Sequence, residues 1–213
     1  MSKPRITGPE RREQIIDAAI ELFSTRGFSG TTTRQLAEAA GVSEAALYLH
    51  FDTKESLYEA ILRRKAVEGT HMVERLREMT EEPPRAVFGE LAAFVIEVHT
   101  RDQAFLRLLL YSGLEGHTLF RMFFRAQLRE IAELLRAYVE RQQRAGVFRP
   151  CEPRLAVRAF MGMLIHHLLI QEIFHVTDFG VFRPARAAPE FVTIFLEGLC
   201  AEGSRTGGGV ECA

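Results

Sequence analysis

Residues 31–51 read Thr-Thr-Thr-Arg-Gln-Leu-Ala-Glu-Ala-Ala-Gly-Val-Ser-Glu-Ala-Ala-Leu-Tyr-Leu-His-Phe and predict two short helices joined by a tight turn. Gly41 favours the left-handed backbone conformation that ends a first helix, and Ser43 is a typical N-cap for a second. Ala37 and Ala40 are small enough to let the two helix backbones approach closely. This is the layout of a helix–turn–helix, whose second helix enters the major groove of DNA.

Short motifs flank this unit at characteristic spacings. An amphipathic helix is predicted over residues 15–23, Arg26-Gly27-Phe28 follows it, and Lys54-Glu55 follows the second helix of the unit. The combination of Gly-Phe, Thr-Thr, Ala-Gly-Val-Ser, Leu-Tyr-x-His-Phe and Lys-Glu resembles the TetR family of bacterial repressors, from near Glu10 to near Tyr58. This set is more specific than a helix–turn–helix alone, and the remaining two thirds resemble the family only in helical character and layout.

The predicted fold class is all-α, with two domains and a tail. The resemblance implies a three-helix helix–turn–helix domain for DNA binding at residues 1–53, including a basic N-terminal arm. It implies a larger helical domain for effector binding and dimerisation at residues 54–203, and the Gly-rich residues 204–213 are predicted to be disordered. Helix 4 is expected to link the two domains, with Asp52 as its N-cap and Glu55 completing a capping box.

The resemblance assigns roles in DNA binding to residues around the turn. Thr32 is expected to cap helix 2 in a capping box with Gln35. Tyr48 and His50 are expected to touch backbone or base edges, and Lys54 resembles the phosphate-binding lysine of the family. The alternative for these last three residues is an ordinary solvated face. The predicted DNA-binding residues are Thr32, Thr33, Arg34, Ser43, Glu44, Ala45, Tyr48, His50 and Lys54.

Two positions of the recognition helix depart from the commonest family pattern. Glu44 stands where a basic or neutral residue is frequent; an acid suits a helix N-terminus, but near phosphates it is repelled unless it accepts from a cytosine amino group. Leu49 stands where many relatives carry a polar ring, and its side chain can meet a thymine methyl group. Both departures bear on the operator sequence rather than on the docking mode.

Composition is that of a globular protein with little net charge. The 213 residues are 47% hydrophobic and 26% charged, with a net charge of −1, so no overall basicity indicates nucleic acid binding. Residues 1–64 contain nine basic and nine acidic side chains. Four of the basic residues cluster at the start, which is consistent with an arm that follows DNA or, equally, with a frayed solvated terminus. They are Lys3, Arg5, Arg11 and Arg12.

Several features predict a cytoplasmic protein. No run of about 18 apolar residues is present that could span a membrane, and no secretory signal precedes the fold. Cys151, Cys200 and Cys212 are widely spaced and form no Cys-x-x-Cys pair, which fits a reducing compartment and suggests no disulfide framework.

Two C-terminal helices, at about 155–175 and 189–202, are expected to form a dimer interface. The first is apolar nearly all round and must be buried on more than one side, most simply by another subunit. The resemblance implies the same, since helix–turn–helix readers of two half-sites need a two-fold dimer. The alternative is that these residues fill the monomer core. The predicted interface residues are Phe160, Leu164, Leu168, Phe191 and Phe195.

The middle helices are implied by the resemblance to enclose a mostly apolar cavity for a hydrophobic or aromatic effector. The alternative for each lining residue is a place in the ordinary core. No catalytic motif or metal-ligand spacing is present in the sequence, so we expect no enzymatic activity, no cofactor and no metal. The predicted lining residues are Val95, His99, Phe105, Leu109, Phe120, Phe124, Gln127 and His166.

The function predicted from these patterns is that of a homodimeric, ligand-responsive repressor that binds a palindromic DNA operator. Effector binding would move helix 4 and change the separation of the two recognition helices. One alternative is an effector-independent architectural or division-control protein on the same fold. Another is a helical enzyme or carrier with a vestigial helix–turn–helix, for which Glu44 and the neutral N-terminal charge are the support.

Overall fold

The computed structural model describes residues 7–116, 121 and 128–200. Within this part of the chain there are nine α-helices and no strand beyond one isolated bridge, so the predicted all-α class is confirmed. A π-helical turn, Leu169–Ile173, follows the helix that ends at Leu168. The helices are α1 (Gly8–Arg26), α2 (Thr33–Ala39), α3 (Glu44–His50), α4 (Lys54–Glu78), α5 (Pro84–Arg101), α6 (Gln103–Leu114), α7 (Arg129–Arg144), α8 (Pro153–Leu168) and α9 (Pro184–Leu199).

The chain packs as two compact units, whose limits differ from the predicted domain boundary after residue 53. The first unit contains Met1–Val67 and Ala104–Phe124, and the second contains Glu68–Gln103 and Arg125–Ala213. The reason is burial: side chains from the first half of α4 and from one face of α6 contribute to the same apolar core as α1–α3. Three side chains show this, because all are almost fully buried there: Leu57, Ile61 and Leu108.

Aromatic packing fixes the core of the first unit. The rings of Phe23, Phe28 and Tyr58 lie 5.4–5.5 Å apart, two of the three pairs edge to face, as aromatic quadrupoles prefer. The Tyr58 hydroxyl is hydrogen-bonded to Ser112 of α6. Burial, and then the charge of Glu115, raises the pKa of Tyr58 well above its ordinary value, so the phenol stays neutral. Helices α1, α4 and α6 are therefore joined through one buried tyrosine.

Two helices begin differently from the prediction. At the start of α4 the reciprocal bonds join Thr53 and Ser56, with N···O distances of 3.0 and 3.2 Å, rather than Asp52 and Glu55. The hydroxyl pair is one residue further along and provides both acceptors. Helix α9 begins at Pro184, five residues before the predicted start, because this proline has the φ angle favoured in a first helical turn. Pro189 lies inside the helix.

Phe88 of α5 centres the core of the second unit. Its ring lies 4.9 Å from those of Phe160 on α8 and Phe195 on α9, which lie 4.9 Å from each other. Cys151 is free and Cys200 is disulfide-bonded, a bond that the wide spacing of the cysteines did not indicate. Among the described residues, no helix is long and apolar enough to cross a membrane. The predicted disordered tail lies outside these residues.

Candidate DNA-binding site

The turn between α2 and α3 has the predicted geometry. Gly41 has a φ of +65°, a conformation that L side chains rarely adopt. The Val42 N–H donates to the Ala37 carbonyl at 2.9 Å, which satisfies a carbonyl at the end of α2. The Ser43 hydroxyl accepts from the Ala46 N–H at 3.1 Å and so caps α3. Hydrogen bonds between residues close in sequence therefore end α2 and begin α3 at the predicted positions.

Helix α3 presents one continuous exposed face. Tyr48 and Leu49 are 46% and 85% exposed, and Glu44 and Ala45 in the preceding turn are also exposed. Leu47 on the opposite face is buried in the core of the first unit. A seven-residue helix with this division can enter a major groove without loss of packing. Leu49 is available for contact with an apolar base edge.

The start of α2 contributes further polar groups. Thr32 and Gln35 form the predicted capping box, with N···O distances of 2.9 and 3.3 Å. Arg34 is exposed, whereas Thr33 is half-buried, as is His50 at the end of α3. Exposed N–H groups at a helix start and an arginine side chain are typical phosphate contacts.

Lys54 has a structural partner that the sequence did not reveal. Its ammonium donates to the carbonyls of Phe28 and Thr31 at 2.9 and 3.0 Å. It also lies 4.1 Å from the centre of the Phe28 ring. An ammonium has three donors, so these contacts leave at most one for a phosphate. Lys54 thus holds the loop between α1 and α2, and its predicted phosphate contact stays a prediction.

Glu115, after α6, holds the same loop from another direction. Its carboxylate accepts from the N–H groups of Phe28 at 3.2 Å and Ser29 at 3.2 and 3.4 Å. Gly27 has a φ of +70°, and a Cβ there would lie 2.4 Å from a Glu115 carboxylate oxygen. Sequence analysis missed this contact, which spans more than eighty residues. It ties α6 to the segment immediately before the helix–turn–helix.

The predicted basic arm is described only in part. Lys3 and Arg5 lie outside the described residues. Arg11 and Arg12 lie in α1, and the Arg12 guanidinium is 4.6 Å from the centre of the Phe51 ring at the end of α3. The arm therefore stays a prediction.

The structure describes five of the eight predicted effector residues, and the effector site stays a prediction. Phe120, Phe124 and Gln127 lie outside the described residues. In α8 the exposed histidine is His166, whereas His167 is half-buried and its ring lies 5.3 Å from that of Phe191. The histidine that faces inward is therefore His167, not the predicted His166.

The other four candidates are distributed over both units. Val95 is buried and His99 is half-buried in the second unit, where the His99 Nδ1 lies 2.8 Å from the Val95 carbonyl. Phe105 is buried and Leu109 is half-buried in the first unit. None of these residues lines the cavity formed by Leu76, Val87 and Tyr138 or the groove formed by Leu155, Met163 and Ile194.

Most of the predicted dimer-interface residues fill the monomer core instead. Phe160, Leu164, Leu168 and Phe195 are buried, and Phe191 is half-buried against His167. An apolar helix does not show in sequence which face meets its own chain, and the predicted interface set stays a prediction. The exposed apolar faces of both helices lie elsewhere on their circumference.

Comparison with known proteins gives the following matches. The sequence model described as "Bacterial regulatory proteins, tetR family" matches residues 15–61, and "Tetracyclin repressor-like, C-terminal domain" matches residues 81–168. The transcriptional repressor NicS of Pseudomonas putida is 30% identical over 142 residues, which are 65% of this chain and 66% of NicS. The repressor KstR2 of Rhodococcus jostii is 49% identical over 53 residues, 25% of this chain and 26% of KstR2. The matches thus span less than two thirds of these relatives.

Solved structures share the fold over most of the chain. PfmR, a TetR-family regulator from Thermus thermophilus, is 26% identical with a TM-score of 0.68, covering 86% of this chain and 97% of PfmR. AibR, solved with isovaleryl coenzyme A and operator DNA, is 24% identical with a TM-score of 0.65. The match covers 86% of this chain and 97% of AibR. The likeness to AibR shows the fold alone.

Proposed function

Because this chain belongs to the TetR family of bacterial regulatory proteins, whose members are regulators and not enzymes, we propose that it is a homodimeric transcriptional repressor. It binds a palindromic operator in the cytoplasm and is released by a small hydrophobic or aromatic effector. The observation that carries this proposal is the capped, exposed face of α3. Tyr48 and Leu49 project from a helix whose opposite side is held in a buried core.

Sequence readout is assigned to α3 and phosphate contact to the start of α2. The nine predicted DNA-binding residues stay the proposed set, with Leu49 added because it is 85% exposed on α3. Tyr48 is placed for a base edge or sugar, and Arg34 for a phosphate. Glu44 disfavours a phosphate nearby, so its expected partner is a cytosine amino group.

A two-fold dimer is supported by an exposed apolar groove along α8 and α9. The groove has a volume of about 420 Å³ and includes Leu155, Ala159, Met163, Ile194 and Gly198. Leu155 and Ile194 are 60% and 51% exposed. A face with large apolar side chains beside small ones suits close packing against the same face of a second copy. A helix–turn–helix dimer reads half-sites about 34–36 Å apart, or a multiple of that.

Coupling between effector and DNA is assigned to α4 and α6. Helix α4 continues unbroken from Lys54 to Glu78, and α6 is joined to the loop before the helix–turn–helix by Glu115. A ligand that shifts either helix would therefore change the position of α3. AibR, which shares the fold, was solved in complex with isovaleryl coenzyme A and operator DNA.

The test is selection of fragmented genomic DNA on the purified protein at roughly physiological salt, where non-specific binding is weak. Enrichment of one or a few palindromic sites is the expected result. Many dispersed sites without a palindrome would contradict a local repressor and support an architectural protein. Absence of enrichment, for protein refolded to remove any bound inducer, would contradict DNA reading by α3.

A further inference from the structure

We propose that Leu49 is a specificity-determining residue, which selects a thymine in each operator half-site through the 5-methyl group of that base. This inference rests on the proposed function, because it assigns one base contact within the DNA-binding face of α3. Leu49 is 85% exposed, although its side chain is entirely apolar. A single exposed leucine is ordinary on a protein surface, but this one occupies a particular place on its helix.

Ala45 and Leu49 form the outermost strip of α3. Leu47 is the residue of this helix that packs into the core of the first unit. Since successive residues of an α-helix are turned by about 100°, Ala45 and Leu49 each lie about 160° around the helix from Leu47. Tyr48 lies only about 100° from Leu47, and its lower exposure of 46% agrees with that position. The side chains farthest from the protein core are therefore apolar.

The dimensions of α3 place this strip at the floor of a major groove. The helix has seven residues, so it is about 10 Å long, and the major groove of B-DNA is about 12 Å wide. A helix–turn–helix inserts its second helix into that groove. Because the core holds the face that contains Leu47, α3 must dock with Ala45 and Leu49 toward the base edges rather than toward the protein.

Thymine is the base whose edge suits a leucine side chain. In the major groove adenine, guanine and cytosine present hydrogen-bond donors and acceptors, whereas thymine adds an apolar 5-methyl group. Leu49 cannot satisfy a donor or an acceptor, so packing it on a polar edge would leave that group without a partner, which is costly. Against a methyl group, both surfaces leave water favourably. The same methyl group occurs on 5-methylcytosine, and the experiment therefore separates the two bases.

The experiment begins with selection of binding sites from a random, unmethylated duplex library by the full-length protein. The selected duplex is then resynthesised with each thymine in turn replaced by uracil in both half-sites, which removes only the methyl group. At one thymine position per half-site we expect the dissociation constant to rise about 15-fold, or about fourfold for each buried methyl group. Leu49→Ala should bind the thymine and uracil duplexes equally. Leu49→Met should keep most of the preference, because its side chain is apolar and of similar volume.

Leu114→Ala is the matched control. Leu114 is also a highly exposed leucine, at 87%, but it lies at the end of α6. This variant should retain both the wild-type affinity and the dependence on the thymine methyl group. Leu49→Ala should melt like the wild type, because the side chain that it shortens is exposed. If it does not fold, Leu49→Gln, whose side chain ends in a polar amide, carries the same expectation.

Duplexes with cytosine or 5-methylcytosine at the same position distinguish the two sources of the methyl group. We expect 5-methylcytosine to bind more tightly than cytosine but less tightly than thymine, because its amino group and paired guanine change the polar edge. Tighter binding of 5-methylcytosine than of thymine would overturn the assignment to thymine.

The role of Leu49 would be overturned if uracil weakened binding at no thymine position, or if Leu49→Ala kept the methyl dependence. A Leu49→Ala protein with altered sedimentation and unaltered DNA binding would overturn it as well, since Leu49 would then contact protein. These results leave the proposed function intact, because an operator has been selected. Selection of no sequence at all by the wild type would instead refute DNA reading by α3, and with it this inference.

Discussion

The exposed face of α3 and the exposed face of α8 and α9 are specified in different ways. Around α3, Gly41 and Ser43 fix the turn through bonds between near neighbours in sequence. On α8, the position of Leu155 outside and Phe160 inside depends on Phe88, which is distant in sequence. The recognition helix can thus be identified from one short segment. A dimer interface, in contrast, depends on how the rest of the unit packs.

The two faces also differ in chemistry. The α3 face mixes an acid, a tyrosine and a leucine, which suits base edges that present polar groups and methyls. The α8–α9 face is apolar, which suits a second protein surface. The comparison predicts that a charge on the α8–α9 face and a truncation on the α3 face both reduce operator affinity. The charge acts by separating the dimer, and the truncation acts by removing a DNA contact.

The largest effect is expected from Ile194→Glu. A charge on the proposed interface would separate the dimer, and loss of bivalent binding would weaken operator affinity by about 10²- to 10⁴-fold. Analytical ultracentrifugation and operator titration measure the two consequences. Val181→Glu is the control, since Val181 is also exposed but lies outside the helices. A monomeric variant that keeps wild-type operator affinity would contradict the claim that dimerisation through α8 and α9 is needed for operator binding.

Tyr48→Ala should have the next largest effect. Loss of one base or sugar contact is worth about 1–3 kcal/mol, which corresponds to roughly 5- to 150-fold in operator affinity. The dimer and the melting temperature should not change, because the side chain is 46% exposed. Phe179→Ala, at another exposed aromatic residue, should leave DNA binding intact. A Tyr48→Ala protein that dissociates into monomers would show that the faces are not separable.

The same contrast explains how much could be predicted from the sequence. The Thr32–Gln35 capping box, the Gly41 turn and the Ser43 cap need only local hydrogen bonds, and all are present. At the start of α4, Asp52 and Glu55 were predicted to form a capping box, but Thr53 and Ser56 form it. Both pairs have side chains that could cap a helix there.

What sequence reasoning could not supply depends on long-range packing. Glu115 and the amides of Phe28 and Ser29 are far apart in the chain, and no periodic pattern marks such a pair. In α8, apolar residues occur on nearly every face, so hydrophobic periodicity could not distinguish Phe160 inside from Leu155 outside. The core of the second unit decides between them.

A smaller effect is expected from Glu115→Gln. This variant tests whether a contact between residues distant in sequence also stabilises the loop before the helix–turn–helix. A neutral acceptor should hold the Phe28 and Ser29 amides less strongly, with a loss of about 1 kcal/mol in unfolding free energy. Hydrogen exchange at these two amides should accelerate. Glu21→Gln, at an exposed position of α1, is the control. Unchanged exchange in the Glu115 variant would mean that Lys54 alone holds the loop.

The smallest effect concerns the pH dependence of the second unit. Burial lowers the pKa of His167 from its ordinary value of 6.5, while Glu172 raises it and His166 lowers it to lesser extents. The unfolded chain therefore takes up the proton first as the pH falls, so this residue's contribution to stability is lost from about pH 6.5 downward. In His167→Gln, urea unfolding should show a weaker decline of stability between about pH 7 and 5 than in the wild type. His166→Gln, at the exposed neighbour, should retain the wild-type decline, and an equal flattening in that variant would contradict the assignment of His167 as the inward-facing histidine.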